Sequence, residues 1–277
     1  GLERMKQLFN GRVADCPAAL AAALVHGEGV FRTVLVWAGV IVDAEAQHAV
    51  LAADAQRLGL KIDPLHTWLD DSAQALAGAP RAALRWWLAG DDGGGSVRWV
   101  AASPLPADRP AHLWTQGIRV GISPVRLVAP IELAGIKHLN RLPQRLAARG
   151  WRPDQSEALM CDADGHLVCG TRSNLFWVAG GALYTPPLDR VGVKGLMHRK
   201  IGRTADTLGL RLREQRISPD PLDDAEEVFV TNSLIGLWPV RALDARQWQA
   251  PGPITRALFA ALQHPLADRM RGSSCAD

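Results

Sequence analysis

The spacing of apolar residues predicts strands and helices in the first part of the chain. An apolar, β-branched run at 30–37 is typical of a buried strand, and Ala38-Gly39 is a turn into a short partner. Residues 47–58 carry apolar side chains at helical spacing, and the pattern stops at Gly59. The elements predicted here are strands at 6–9, 30–37, 40–42, 82–88 and 97–102 and helices at 47–58 and 63–77.

The second part of the chain alternates short apolar runs with turn pairs. Asp164-Gly165 and Gly180-Gly181 each separate two such runs, as in β-hairpins. Many short strands with few helices predict an α+β fold. The elements predicted here are strands at 118–122, 157–161, 166–168, 175–178, 182–184 and 228–231, helices at 196–208 and 254–264, and a helix-like segment at 219–224.

A proline-rich stretch at 103–110 lies between the two parts and is the best candidate for a linker, although an ordinary surface loop has the same composition. We therefore expect a small N-terminal α/β domain at 1–103, a linker at 104–116 and a larger C-terminal domain at 117–277.

Composition and charge narrow the class of protein. The chain has 277 residues, of which 48% are hydrophobic, as in a packed globular enzyme. Its net charge of +3 is too balanced to favour a nucleic-acid partner and only mildly favours a small anionic substrate. No apolar run reaches the length of a membrane span and no signal-peptide pattern opens the chain, so we expect a cytoplasmic protein without a membrane partner. A start-like run begins at Met5, so residues 1–4 read as an added or upstream extension.

The four cysteines have neither C-x-x-C nor metal-ligand spacing. We expect reduced thiols and no metal site. They are Cys16, Cys161, Cys169 and Cys275.

The segment I-K-H-L-N-R-L at 136–142 places one lysine among apolar residues. Lys137 is a candidate for desolvation, which disfavours the ammonium form and frees an amine that can attack a carbonyl. The segment opens an amphipathic stretch that runs to Gly150, so the alternative is a lysine at a helix start with its head in water.

Three other segments carry groups suited to a phosphate. A glycine precedes a predicted helix at 196, which leaves backbone N–H groups free; a buried strand ends in hydroxyl and amide side chains; and an arginine falls late on the first helix. Each also has a structural interpretation, as a helix entry, a strand-end turn with an N-cap, or a surface arginine. The groups are those of Arg57, Leu196, Met197, Thr231, Asn232 and Ser233.

The order of these segments resembles the class IV pyridoxal-phosphate aminotransferase family, which includes branched-chain and D-amino-acid aminotransferases. Three runs are similar to the aminodeoxychorismate lyases of that family: H-G-E-G-V-F-R-T at 26–33, K-H-L-N-R-L at 137–142 and T-N-S-L-I-G-L-W-P-V at 231–240. The likeness covers nearly the whole chain. The second run is the specific part, because the aminotransferases carry other residues after their lysine.

The resemblance implies the α+β, two-domain fold of the D-amino-acid aminotransferase-like enzymes, with pyridoxal 5'-phosphate between the domains, usually in a homodimer. It implies conversion of 4-amino-4-deoxychorismate to 4-aminobenzoate and pyruvate, a step of folate synthesis. Lys137 would hold the cofactor as a Schiff base and act as the general base. The residues implied as cofactor-binding are Lys137, Arg57, Cys169, Asn174, Leu196, Met197, Asn232 and Ser233.

Cys169 departs from the family pattern. The family usually has a glutamate five residues before the asparagine of S-N-L-F, where it keeps the pyridine nitrogen protonated. A thiol is a weak donor and would not hold a pyridinium. This change favours a lyase, whose aromatic product helps to drive the elimination, over an aminotransferase. The alternatives are a D-amino-acid or branched-chain aminotransferase and a cofactor-free, non-catalytic relative.

The substrate's contacts are less defined by the sequence. Thr33 would donate a proton or a hydrogen bond to the leaving enolpyruvate; its alternative role is that of an ordinary strand threonine. Related lyases tend to have an arginine in the loop at 93–96, where this chain has Gly95. The remaining candidates for the substrate's carboxylates and ring are His26, Arg98, Arg141 and Arg172.

Overall fold

The structure is a computed structural model that describes residues 8–9, 12–13, 23, 25–90, 94–105 and 110–271. Two short strands, β1 (Leu8–Phe9) and β2 (Arg12–Val13), pair antiparallel near the start. Of the strand predicted at 6–9, residues 6–7 lie outside the described part, as do Cys16 and Cys275. Among the described residues, no helix is long and apolar enough to cross a membrane.

An antiparallel four-stranded sheet forms the first layer, in the order β4-β3-β5-β6. Its side chains alternate between the two faces, and one face packs on two helices around a core that includes Val34, Leu51 and Trp68. The elements are β3 (Gly29–Trp37), β4 (Val40–Ile41), α1 (Ala44–Arg57), α2 (Leu65–Leu76), β5 (Ala82–Gly90) and β6 (Ser96–Ser103).

A mixed sheet of nine strands forms the second unit among the described residues, in the order β12-β11-β10-β13-β14-β7-β8-β9 with β15 beside β14. Because β9 also pairs with β10, six of these strands close into a barrel. The strands are β7 (Ile118–Leu127), β8 (Glu157–Asp162), β9 (Leu167–Gly170), β10 (Asn174–Ala179), β11 (Ala182–Thr185), β12 (Leu212–Glu214), β13 (Glu227–Asn232), β14 (Gly236–Leu243) and β15 (Arg246–Gln247).

Helices cover this sheet and enclose its apolar core, in which Phe176 and Phe229 stack with ring centroids 5.2 Å apart. The helices are α3 (His112–Thr115), α4 (Leu142–Arg149), α5 (Leu196–Thr207) and α6 (Pro253–Ala261), with 3-10 turns at Ile131–Leu133, Asp220–Asp224 and Ala267–Arg271. The α+β class is confirmed.

Three sequence-based expectations differ from the structure. The segment around Lys137 is extended, and α4 begins only at Leu142, so the interpretation as a helix-start lysine is wrong. Strand β14 was not predicted. Helix α3 falls within the expected linker, and its Trp114 is buried in the large core and donates to the carbonyl of Ile235 at 3.0 Å. The division at 103 and 117 stays a prediction.

Candidate active site

A cavity of ≈ 830 Å³ lies between the small sheet and the barrel and is lined by residues of both. This volume is in the range of pockets that take a cofactor and a small substrate together. Its charged lining is dominated by cations, with one carboxylate. The charged residues are Arg32, Arg85, Lys137, Arg141, Arg145, Arg149, Glu157 and Arg172.

Lys137 lies in the pocket on an extended segment that is bonded to strand β3. The Phe31 amide donates to the Lys137 carbonyl at 3.0 Å, and the Leu139 amide donates to the Gly29 carbonyl at 3.0 Å. On its other edge, the Lys137 amide donates to the Asp54 carboxylate at 3.1 Å. The lysine backbone is therefore fixed on both sides by the small sheet and its helix.

The Lys137 side chain opens into the cavity, so part of it is solvent-accessible, yet its amine is surrounded by protein atoms. Burial, with a smaller contribution from the positive charges of Arg32 and Arg141, lowers the pKa of Lys137 to about 7, and the nearby Asp54 carboxylate opposes the shift. The predicted desolvation is confirmed, and a substantial fraction of this amine is neutral at neutral pH.

The start of α5 contributes to the cavity lining and is a candidate phosphate site. Gly195 precedes the helix in extended conformation and no side chain caps its first turn, so the amides of Leu196 and Met197 face the pocket lining. A side chain at 195 would collide with Asn174, 2.8 Å from its Oδ1. Asn174 itself donates to the Val193 carbonyl at 2.8 Å, so it positions this loop.

The turn after β13 also lies in the cavity lining. Ser233 Oγ accepts a hydrogen bond from Gln47 at 3.0 Å. The Asn232 side chain is used within the protein: its Oδ1 accepts from the amides of Leu234 and Ile235, and its Nδ2 donates to the Arg172 carbonyl. Thr231 Oγ1 donates to the Gly236 carbonyl. Ser233 is therefore the side chain of this turn best placed to meet a ligand.

Arg57 is exposed and is not among the pocket-lining residues. Its two terminal nitrogens donate to the carbonyls of Ala134 and Glu132, both at 2.7 Å. Arg57 thus holds the chain just before Lys137 through these two carbonyls, and its contact with a phosphate stays a prediction.

Cys169 is buried in the pocket lining, at the end of the barrel that faces Lys137. Burial raises the pKa of its thiol to about 12, although the charge of Arg141 opposes the shift. The group is therefore a neutral thiol throughout the physiological range. Cys161 is also a free thiol, buried in the large apolar core on the other side of the sheet.

The candidate substrate residues separate into two groups. Arg98 is aligned with Val30 and Leu88 on the helix-covered face of the small sheet. There it pairs with Asp63 and Asp71, both at 2.6 Å, so it points away from the cavity. His26 is exposed and is also outside the lining.

Thr33, Arg141 and Arg172 do line the cavity. Thr33 lies opposite Arg85 in the strand register. Arg141 is close to Lys137, and its Nε donates to the His138 carbonyl at 3.0 Å. The Arg172 guanidinium lies over the Trp151 ring, 4.6 Å from its centroid.

Several lining residues were missed from the sequence. Gln144, Arg145 and Ala148 lie on one face of helix α4 and line the cavity. Their i, i+1, i+4 spacing would have predicted this shared face if the helix start at Leu142 had been recognised. Glu157 fixes the loop between β9 and β10 by accepting from the Thr171 and Ser173 hydroxyls and from the Arg172 amide. Arg32 is buried beside Asp54.

The comparisons with known proteins agree with this geometry. The sequence pattern of the family described as Amino-transferase class IV matches residues 29–243, so the chain belongs to the class IV aminotransferase family. Its enzymes use pyridoxal 5'-phosphate, and this chain is therefore a class IV pyridoxal-phosphate enzyme.

Among individual relatives, the chain is 28% identical over 240 residues to an aminodeoxychorismate lyase of Vibrio harveyi, covering 83% of this chain and 88% of that one. The crystal structure of 4-amino-4-deoxychorismate lyase from Pseudomonas aeruginosa superimposes with a TM-score of 0.81 at 33% identity, covering 88% and 93%. A branched-chain-amino-acid aminotransferase of Salmonella typhimurium is 32% identical over 166 residues, 57% and 53% of the two chains.

The donors present fit this cofactor. The uncapped first turn of α5 and the Ser233 hydroxyl suit its phosphate, and Lys137, with a pKa near 7, suits its aldehyde. The alternative of a cofactor-free relative is therefore not retained.

Proposed function

We propose that this enzyme is an aminodeoxychorismate lyase, which converts 4-amino-4-deoxychorismate to 4-aminobenzoate and pyruvate. One observation carries the proposal: a lysine with a pKa of about 7 shares its cavity with several guanidinium groups and with a neutral thiol. The substrate has two carboxylates, and such a lining suits a dianion. The similarity to two lyases over most of the chain supports the same reading.

In this proposal, Lys137, the first turn of α5 and Ser233 would hold pyridoxal phosphate, which would supply an electron sink for the ring carbon that carries the substrate's amino group. Lys137 accepts the proton from that carbon, because the neutral amine is the form that burial favours. The bond to enolpyruvate breaks, the ring becomes aromatic, and Thr33 donates a hydrogen bond or a proton to the leaving oxygen. Arg141 and Arg172 bind the carboxylates, and the neutral thiol of Cys169 leaves the pyridine nitrogen without an acidic partner.

The second candidate is an amino-acid aminotransferase. The match to a branched-chain-amino-acid aminotransferase favours it, but that match covers about half of each chain. The thiol at Cys169 disfavours it, because transamination needs a stronger electron sink than the elimination does.

The deciding experiment is a spectrum of the purified protein followed by an assay for 4-aminobenzoate from 4-amino-4-deoxychorismate, with Lys137→Ala as the control. We expect a visible cofactor band and 4-aminobenzoate from the native chain only. A native chain that forms no 4-aminobenzoate but transfers amino groups from amino acids to 2-oxo acids is an aminotransferase. We also propose a homodimer, which sedimentation of the same sample tests.

A further inference from the structure

A chain of four polar contacts, two of them buried and two partly buried, connects Ser233 to the backbone of Lys137. The residues between these two have no role in the proposed reaction. Gln47 Nε2 donates to Ser233 Oγ at 3.0 Å, Arg32 Nε donates to Gln47 Oε1 at 3.3 Å, Arg32 Nη1 pairs with Asp54 at 3.4 Å, and the Lys137 amide donates to the same Asp54 oxygen at 3.1 Å. The chain runs from the phosphate end of the pocket to the lysine.

Arg32 interrupts an otherwise apolar strand face. Val30, Val34 and Val36 alternate with the cavity-facing residues of β3 and lie in the small core, and Arg32 occupies the position between the first two. Arg32, Gln47 and Asp54 are 3%, 1% and 4% exposed. A buried ion pair is weak support for stability, since apolar residues of similar volume often stabilise as well or better. A functional role therefore explains the Arg32–Asp54 ion pair better than a contribution to stability does.

Charged groups on three neighbouring segments act on the Lys137 amine. Arg32 on β3 and Arg141 before α4 disfavour its ammonium form, and Asp54 on α1 opposes them. Cys169 on β9 is also near but is a neutral thiol at this pH. Arg199 on α5 acts in turn on both Arg32 and Asp54. Burial lowers the pKa of Arg32 itself to about 10, so it is cationic at neutral pH.

We propose that Arg32 is a positioning residue: through Asp54 it holds the Lys137 backbone close to its own positive charge, and through Gln47 it holds Ser233 at the phosphate end of the cavity. Asp54 keeps the Arg32 charge in place and at the same time fixes the Lys137 backbone. This inference rests on the role of Lys137 in the proposed function, but its two consequences concern a titration and a binding affinity. Neither needs the lyase reaction.

The first test is the pH at which the visible band of the cofactor-loaded protein changes, because that change follows the protonation of the Lys137 nitrogen in its Schiff base. Arg32→Met removes a positive charge near Lys137, so the transition should move upward by about 1 pH unit. Arg32→Lys keeps the charge and should return the transition close to its native position. The control is Arg119→Met, because Arg119 pairs with Asp154 at 2.9 Å and is not among the cavity-lining residues.

The second test separates the two ends of the contact chain. Gln47→Leu keeps the charges of Arg32 and Asp54 but removes both the donor to Ser233 and the acceptor of Arg32 Nε. It should weaken pyridoxal-phosphate binding by about 5- to 10-fold, the effect of one buried hydrogen bond, and leave the transition pH unchanged. The double variant Arg32→Met, Asp54→Asn removes both charges of the pair and serves as a second measurement if Arg32→Met fails to fold. Its transition pH should lie between those of the native protein and Arg32→Met.

A transition pH in Arg32→Met equal to that of Arg119→Met overturns the electrostatic role. Native affinity in Gln47→Leu overturns the link to Ser233. If the native protein instead binds the cofactor and titrates but forms no 4-aminobenzoate, the proposed function fails while this inference is supported or overturned by the same two measurements.

Discussion

The Lys137 amine lies 4.6 Å from the centroid of the Phe31 ring, on the cavity side of the small sheet. A ring face at this distance attracts an ammonium ion, yet burial and two guanidinium groups disfavour the same ion and lower its pKa to about 7. The balance leaves an amine that exchanges protons near neutral pH.

The stability of the cofactor-free protein should depend on pH through this lysine. Its folded pKa of about 7 lies below the ordinary lysine value of 10.5, so between these values the unfolded chain holds a proton that the folded protein has lost. Stability should therefore rise with pH across that window, and the cost of burying the charge is fully present below pH 7. Urea unfolding of native protein and Lys137→Met should show the slope in the native protein only. Parallel curves would contradict the lowered pKa.

Lys137 should be the residue that carries the cofactor. Borohydride reduction followed by peptide mapping should find the adduct on Lys137. Lys194 and Lys200, just before and within α5, are the alternative lysines for this bond, but they pair with Glu214 and Asp43, respectively. Lys137→Ala should lose the visible band and several orders of magnitude of turnover. An adduct on Lys194 or Lys200 would refute the assignment.

Cys169→Glu should shift the enzyme towards transamination. A carboxylate at this buried position lies near Arg141 and Lys137 and could hold a protonated pyridine nitrogen. We expect more amino transfer from D-alanine, a changed cofactor spectrum and a smaller change in lyase turnover. Cys161→Ala is the control, because Cys161 lies in the large core. If Cys169→Glu has the native spectrum and both native activities, residue 169 does not contact the ring.

Arg172 and Arg98 should differ in their effect on substrate binding. Arg172 lines the cavity and stacks on Trp151, whereas Arg98 is held by two aspartates on the opposite face of the sheet. Removing a charge-assisted contact to a carboxylate costs roughly 1.5–3 kcal/mol, or about 10- to 150-fold in affinity. Steady-state kinetics should show a raised KM in Arg172→Ala and a native KM in Arg98→Ala. The reverse order would place the substrate elsewhere.

Arg57→Ala should act on stability more than on the phosphate. The arginine donates to two carbonyls of the segment before Lys137 and is exposed, so its loss should cost about 1 kcal/mol of unfolding free energy. Pyridoxal-phosphate affinity, measured by fluorescence titration, should fall by less than the about 10-fold expected for a lost direct phosphate contact. A larger fall in affinity with unchanged stability would show that Arg57 contacts the phosphate directly.

Local patterns predicted much of the fold because they depend on neighbouring residues. The strand at 29–37 and the helix at 44–57 follow from apolar spacing and a terminal glycine. Strand β14 was missed because its residues are nearly all buried on both faces and Pro239 lies within it, so it shows neither alternation nor a typical strand composition. Pro143, at the second position of α4, was the local signal for the true helix start.

The roles of the arginines depended on information that the sequence lacks. Strand register decides that Arg98 shares a face with Val30, and a contact between α1 and the segment at 132–134 decides the orientation of Arg57. Arg32 could have been singled out as a charge on a core-facing strand position, but its partners lie on α1, 15 and 22 residues away. Lys137 was found because its apolar neighbours are adjacent in sequence.

The hydrogen bonds made by the Lys137 carbonyl and amide limit the motion of this segment. Because the peptide of this lysine is joined to β3 and to Asp54, its amide should exchange with deuterium as slowly as those of the sheet, even without cofactor. The reach of the amine is then limited to rotations about the bonds of its own side chain. Hydrogen exchange at Lys137 as fast as in an unstructured peptide would show that the segment itself moves away from β3 and Asp54.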